Sequence, residues 1–247
     1  MKIEQASLNR RRFIGWAGAT AAVMALGRHV PAHAAAAQPT RIGVIGSGNV
    51  GGAIGRTWVS RGHEVMFSSR SLEHDKTLAS ELGRGARAGT PRDAARFGEV
   101  VLIAVPYGAL PELGRSLADD LKGKVVIDAC NPFPSRDGDI ANWARDKGAG
   151  QASAELLPGT RIVRAFNAIG AARMGAAHQR PGEVGMPIAG DDKEAIAIAS
   201  SLIRDVGYEP VLIGGLAMGR HLIPGTPLAG EHSPDDIRRI AAKLKAE

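Results

Sequence analysis

The sequence predicts an α/β chain built on a doubly wound parallel sheet, and three observations carry that prediction. Short apolar runs rich in β-branched residues recur along it, such as Val100-Val101-Leu102-Ile103-Ala104-Val105, the composition of strands covered on both faces. Stretches with helical spacing separate these runs, as in Leu110, Leu113, Leu117 and Leu121. A glycine-rich turn links the first strand to the first helix, and strand and helix alternate from there.

The first strand, around Ile42, Val44 and Ile45, runs into Gly46-Ser47-Gly48-Asn49-Val50-Gly51-Gly52 and then a helix through Ile54, Trp58 and Val59. Gly46, Gly48 and Gly51 have the G-x-G-x-x-G spacing of a dinucleotide site. The first allows a tight turn, the second lets backbone approach a pyrophosphate, and the third lets the helix pack closely on its strand. Open N–H groups of the helix's first turn, aided by its dipole, then favour phosphate. A glycine turn without ligand is the bland alternative; the second strand beyond the helix, His63 to Phe67, favours the nucleotide.

The end of that second strand selects the nucleotide. An NAD site usually places an acid about 20 residues beyond the turn, on the ribose 2′-hydroxyl. Here the position falls in Phe67-Ser68-Ser69-Arg70-Ser71, which has none. Ser68, Ser69 and the Arg70 guanidinium suit a 2′-phosphate, so NADP is the expected cofactor. The competing reading makes Arg70 a solvated loop residue.

Next come a polar helix, Leu72 to Leu82, a glycine-rich patch, Gly83 to Gly89, and a helix start at Thr90-Pro91. The run from Val100 ends at Pro106-Tyr107-Gly108, and the strand Lys124 to Ala129 ends at Cys130-Asn131-Pro132. Phe133 to Gly150 reads as an insertion or loop with one short helix. Further strands are Arg161 to Phe166, ending at Asn167, Met186 to Gly190, and Pro210 to Gly214. Asp191-Asp192 caps a helix from Lys193 to Val206, and the tail from Pro234 reads as an exposed helix. The organisation is thus a nucleotide-binding domain over residues 40–230 with a small C-terminal extension, and a polar tail over 231–247.

Residues 1–34 read as an export signal. Arg10-Arg11-Arg12-Phe13 precedes a modest apolar run and the A-x-A-like site Ala32-His33-Ala34. The run is too short to span a bilayer, and the paired arginines indicate the twin-arginine route to the periplasm or cell exterior. A retained amphipathic anchor or a misplaced start are the alternatives. The segment holds five basic residues against Glu4, so it carries +4 of the formal charge of +6. The remaining 213 residues are near +2 and poor in aromatics, which disfavours a nucleic-acid partner. They suffice for one sizeable α/β domain, with no stable membrane insertion expected and a homodimer as the candidate assembly. Cys130 is the single cysteine, which excludes an intrachain disulfide.

Ligands of such sheets lie beyond the carboxyl ends of the strands. There Pro106 and Tyr107 can flank a flat ring, and Asn131 or Asn167 can bond a carboxamide; each also has a plain reading as a strand stop, a packed aromatic or a turn residue. No acid–base pair, metal spacing or G-x-S-x-G elbow is apparent, and the histidines have no identifiable partner. Ketone reduction needs a proton donor near the oxygen, whereas hydride transfer between two bound rings does not strictly require one.

Taken together, these residues resemble the F-420-dependent NADP oxidoreductase family, which includes the reductase domain of the six-transmembrane metalloreductases. The resemblance runs from about Arg41 to Leu228 and rests on Ile45 to Gly51, Ser68-Ser69-Arg70, Ala104 to Tyr107, Val126 to Pro132, Val163 to Asn167 and Ile188 to Asp192. It implies a Rossmann fold and NADPH-linked hydride transfer to the deazaflavin F-420, a flavin (FMN or FAD) or a small acceptor. It further implies phosphate contacts at Ser47, Gly48, Asn49 and Val50, and 2′-phosphate contacts at Ser68, Ser69 and Arg70. The nicotinamide and second ring would lie near Pro106, Tyr107, Asn131 and Asn167. The segment after Gly214, which helps seat the second ring in the family, is short here. A non-catalytic NADP-binding module serving a partner protein is the other reading.

Overall fold

The computed structural model describes residues 39–175 and 179–244, so the export signal expected over residues 1–34 lies outside the described residues. The first half carries β1 (Arg41–Ile45), α1 (Asn49–Ser60), β2 (Glu64–Ser68), α2 (Leu72–Leu82), β3 (Ala86–Ala88), α3 (Pro91–Phe97) and β4 (Val100–Ile103). Then come α4 (Leu110–Ser116), α5 (Ala118–Leu121), β5 (Val125–Asp128), α6 (Pro134–Asp137), α7 (Asp139–Lys147), α8 (Ala149–Leu156) and β6 (Arg161–Arg164). The chain closes with α9 (Ala171–Met174), β7 (Gly185–Gly190), α10 (Lys193–Val206), β8 (Glu209–Gly214) and α11 (Pro234–Leu244).

The eight strands form one sheet in the order β3-β2-β1-β4-β5-β6-β7-β8. Strand order reverses between β1 and β4, which pair in parallel from Ile42 opposite Val100 to Ile45 opposite Ile103. This switch point opens a crevice beyond the strand ends. Alternating side chains feed two cores. Val100 and Leu102 pack with Ile54 and Trp58 of α1, while Val101 and Ile103 pack with Leu110, Leu117 and Leu121. That is why the strands read as continuous apolar runs: neither face meets water. The Trp58 indole N–H donates to the Leu202 carbonyl at 2.8 Å, tying α1 to α10.

Four features depart from the sequence expectation. β3 is a three-residue edge strand inside the glycine patch, where no apolar run marks it. β7 runs antiparallel to β6, so β7 and β8, parallel to each other, run opposite to the rest of the sheet. The stretch after Phe133 holds three helices, α6, α7 and α8, rather than one. The tail from Pro234 is not an exposed helix: α11 docks on β7 and β8 by burying Ile237 and Ala241 against Val211, Ile213 and Leu228. Among the described residues, no helix is long and apolar enough to cross a membrane.

Candidate functional site

A trough of three adjoining hollows, of 520, 250 and 350 Å³, runs along the carboxyl ends of β2, β1, β4, β5 and β6. The glycine turn forms its wall. Gly46 has φ +102°, and a Cβ there would lie 2.3 Å from the Ala104 carbonyl oxygen. A Cβ on Gly51 would lie 2.1 Å from the Gly46 carbonyl oxygen, so only glycine lets α1 start this close to β1. Gly48 has open space where its Cβ would be, as backbone that admits a pyrophosphate requires. It caps α1 without a side-chain bond, and the N–H groups of the first turn, at Asn49 and Val50, have no intrahelical partner. These groups are open to an anion, as a phosphate cradle requires.

The hydroxyls expected at this cradle act inside the protein instead. Ser68 is fully buried; its hydroxyl donates to the Val44 carbonyl at 2.9 Å, and its own carbonyl accepts from the N–H groups of Gly46 and Ser47. Ser47 is also buried and donates its hydroxyl proton to Asp75. Ser47 and Ser68 therefore hold the turn in shape rather than offering protons to phosphate. Ser69 borders the trough, donates to Asp75 at 2.9 Å and accepts from the Ser71 N–H. Arg70 remains: exposed, bordering the same hollow, and with no hydrogen bond or ion pair among the described residues.

Asp75 escaped the sequence reading. Its carboxylate is completely buried under both loops and joins the glycine turn to the end of β2. The available signal was helical phase, because Asp75 shares a face of α2 with Leu78 and Leu82.

At the other end of the trough, Pro106 borders the hollows as expected, but Tyr107 does not. Tyr107 is fully buried beneath the sheet, with its hydroxyl 3.2 Å from the Ser153 hydroxyl and donating to the Ala149 carbonyl. Burial pushes its phenol pKa up. The 3-10 turn over Tyr107–Ala109 swings the ring inward.

Asn131 and Asn167 do meet, on the wall of the 350 Å³ hollow. The Asn131 side-chain amide donates to the Asn167 carbonyl at 2.8 Å, and that of Asn167 donates to the Cys130 carbonyl at 3.2 Å. A carbonyl can only accept, so both NH2 groups are fixed and both Oδ1 atoms are the free ends. Those two oxygens are buried without a partner. Each costs about 1–3 kcal/mol unless a donor arrives. Phe166, just before Asn167, adopts φ +65°, a left-handed conformation rare for an aromatic residue. Edge-to-face packing between Trp58 and Tyr208, at 6.4 and 6.3 Å, holds the ring there. Backbone strain of this kind gathers at ligand sites, and here it accompanies the turn that delivers Asn167.

Among the described residues, the ionisable side chains bordering the three hollows are Arg70 and Arg136. Cys130 faces away, its thiol donating to the Ile103 carbonyl and its pKa pushed up by burial. His63 is a satisfied core residue that accepts from the Thr40 N–H and contacts Asp205. No cluster of metal-ligating side chains exists among the described residues.

The residues present fit a dinucleotide: an open helix start and an unpaired guanidinium lie along one trough, with Asn131 and Asn167 on its wall. Comparison with known proteins agrees. Residues 41–132 match the family model described as NADP oxidoreductase coenzyme F420-dependent. The F420-dependent NADP reductase of Methanothermobacter thermautotrophicus is 31% identical over 202 residues, covering 76% of this chain and 87% of that protein. Metalloreductase STEAP3 of Rattus norvegicus is 29% identical over 185 residues; the match covers 74% of this chain but 35% of that protein. A solved structure of the hypothetical protein SMa0349 from Sinorhizobium meliloti superposes with a TM-score of 0.66 at 27% identity, covering 77% of this chain and 93% of that one.

Proposed function

The chain belongs to the F-420-dependent NADP oxidoreductase family and is an NADP-dependent oxidoreductase, and from that premise we propose that it transfers hydride between NADP(H) and a second bound ring, the deazaflavin F-420 or a flavin. The observation that carries this reading is the chemistry of the trough wall: among the described residues its ionisable side chains are two guanidiniums, Arg70 and Arg136, with no carboxylate, imidazole or phenol on that wall. A carbonyl reductase needs a proton donor at the reacting oxygen; transfer between rings needs position and dryness.

The nicotinamide, when bound, supplies or takes the hydride. The chain's residues bind and orient it. The first turn of α1 meets the pyrophosphate, and Arg70 meets the 2′-phosphate. Asn131 and Asn167, locked together by the Asn131 amide, would form the wall against which the carboxamide or the acceptor ring rests. Pro106, Val50 and Ala129 supply apolar walls that keep water out.

The test is turnover of NADPH deuterated on one face at C4, offered F-420 and FMN separately. The expected result is oxidation of NADPH with deuterium delivered from one face alone. Tight NADPH binding with no oxidation by either acceptor would contradict the proposal and favour a non-catalytic NADP-binding module.

We also propose that residues 1–34 direct twin-arginine export and that the enzyme works in the periplasm or outside the cell, on the strength of Arg10 to Phe13 and Ala32 to Ala34. Replacing Arg11 and Arg12 by lysine should leave the full-length chain in the cytoplasmic fraction. Unchanged export of that variant would refute the route.

A further inference from the structure

The short helix α6 after β5 places a second guanidinium on the trough, at a position the family resemblance left unassigned. Arg136 donates from Nε and Nη2 to the two oxygens of Asp137, at 2.9 and 2.7 Å, and from Nη2 to the Asn131 carbonyl at 2.8 Å. Its guanidinium carbon lies 5.0 Å from the centroid of the Phe133 ring. Asp137 is itself pinned, accepting from the Phe133 N–H at 3.0 Å and the Gly108 N–H at 3.2 Å. Burial opposes its ionisation, but Arg136 and those two N–H groups outweigh burial and keep its pKa below the ordinary value.

The arrangement is more ordered than stability alone requires. The Asp137 side chain is 2% exposed and that of Arg136 43% exposed, and a pair open to water on one side stabilises a fold by about 1 kcal/mol or less. What it achieves is geometry. A planar fork is fixed along one edge by a carboxylate and over one face by an aromatic ring, while Nη1 is left without a partner among the described residues. Because Asp137 shares its charge with two backbone donors, it offsets the guanidinium only in part. Arg136 borders the 250 Å³ hollow, and Asn49 and Val50 of the first turn of α1 border the same hollow.

We propose that Arg136 is a second anion contact of the trough, closing on a phosphate from the side opposite the first turn of α1. This rests on the proposed hydride-transfer reading and deepens it. A phosphate in that hollow has two sources, the pyrophosphate of the dinucleotide or the phosphate of an anionic acceptor. Preordering the fork lowers the entropy lost when the anion arrives.

Titrations with Arg136→Gln and Arg136→Lys separate the two sources and test both. NADP+ and NAD+ are titrated first; FMN and riboflavin, which share a ring but differ by one phosphate, are then titrated into protein saturated with NADP+. If the pyrophosphate is the partner, Arg136→Gln weakens NADP+ and NAD+ equally, by about tenfold, and leaves the preference for FMN over riboflavin unchanged. If the acceptor is the partner, NADP+ binding is unchanged and a wild-type preference for FMN of about tenfold disappears, with riboflavin binding intact. In either case Arg136→Lys keeps part of the effect. Retention by Arg136→Gln of both the dinucleotide affinities and the FMN-to-riboflavin ratio, within about twofold, overturns the proposal; so does the absence of any FMN preference in the wild type together with unchanged dinucleotide binding. Riboflavin binding and thermal unfolding report whether the variant is intact. Wild-type NADPH turnover separately decides the hydride-transfer reading, so the two fail in different ways.

Discussion

Replacing Asp128 by alanine is expected to destabilise the fold by about 3–5 kcal/mol, a loss large enough to threaten folding itself. Asp128 and Arg164 are both fully buried at the ends of β5 and β6, with Nη1 donating to Oδ2 at 2.6 Å. Asp128 also accepts from the Cys130 N–H at 2.8 Å, and Arg164 donates to the carbonyls of Cys130 and Leu222 at 3.1 and 3.2 Å. Through Leu222, the pair fastens the C-terminal segment beyond β8 to the sheet, directly below the loop that carries Asn131. Removing the carboxylate leaves a buried guanidinium whose Nε already has no partner. Removing both charges is a different experiment. The double variant Asp128→Ala, Arg164→Met should recover most of the loss, because a buried pair's desolvation cost offsets much of its attraction. Urea unfolding of the three proteins measures this. A loss below about 1 kcal/mol for Asp128→Ala would show that the pair does not anchor the C-terminal segment.

The second large effect is on the nucleotide. Arg70→Ala is expected to weaken NADPH by about 1–3 kcal/mol, roughly 5- to 150-fold, while NADH binding stays within about twofold. With Ser68 committed to Val44 and Ser69 to Asp75, the 2′-phosphate selectivity is expected to rest on Arg70. Because the side chain is exposed, the effect should shrink as salt is raised. Equal losses for NADPH and NADH would place the 2′-phosphate elsewhere.

How legible the molecule was in its sequence differed by kind of information. β1, β4 and β5 could be read because strands buried on both faces must be apolar throughout. The jobs of Gly46 and Gly51 could be read because a Cβ at either would strike backbone. The direction of β7 could not, since Met186-Pro187-Ile188 is equally apolar whichever way the strand runs. β3 contributes backbone pairing at an edge rather than a buried side-chain pattern, so it left no trace. Serines were the weakest guide. A hydroxyl beside a phosphate loop can face the ligand or the loop, and Ser47 and Ser68 face the loop because Asp75 and the Val44 carbonyl take their protons. Tyr107 failed for a related reason: position at a strand end does not fix which side of the sheet a ring enters. Asn131 and Asn167 were brought together as expected, but their two unpartnered oxygens, and the strained Phe166 beside them, are properties of the folded chain.

The most direct test of the central claim is calorimetric titration of the wild-type protein with NADP+ and NAD+ under identical salt. The geometry around Gly48 and Arg70 predicts one site per chain that binds NADP+ at least about tenfold more tightly than NAD+. Equal affinity for the two, or no binding of either at millimolar concentration, would contradict it.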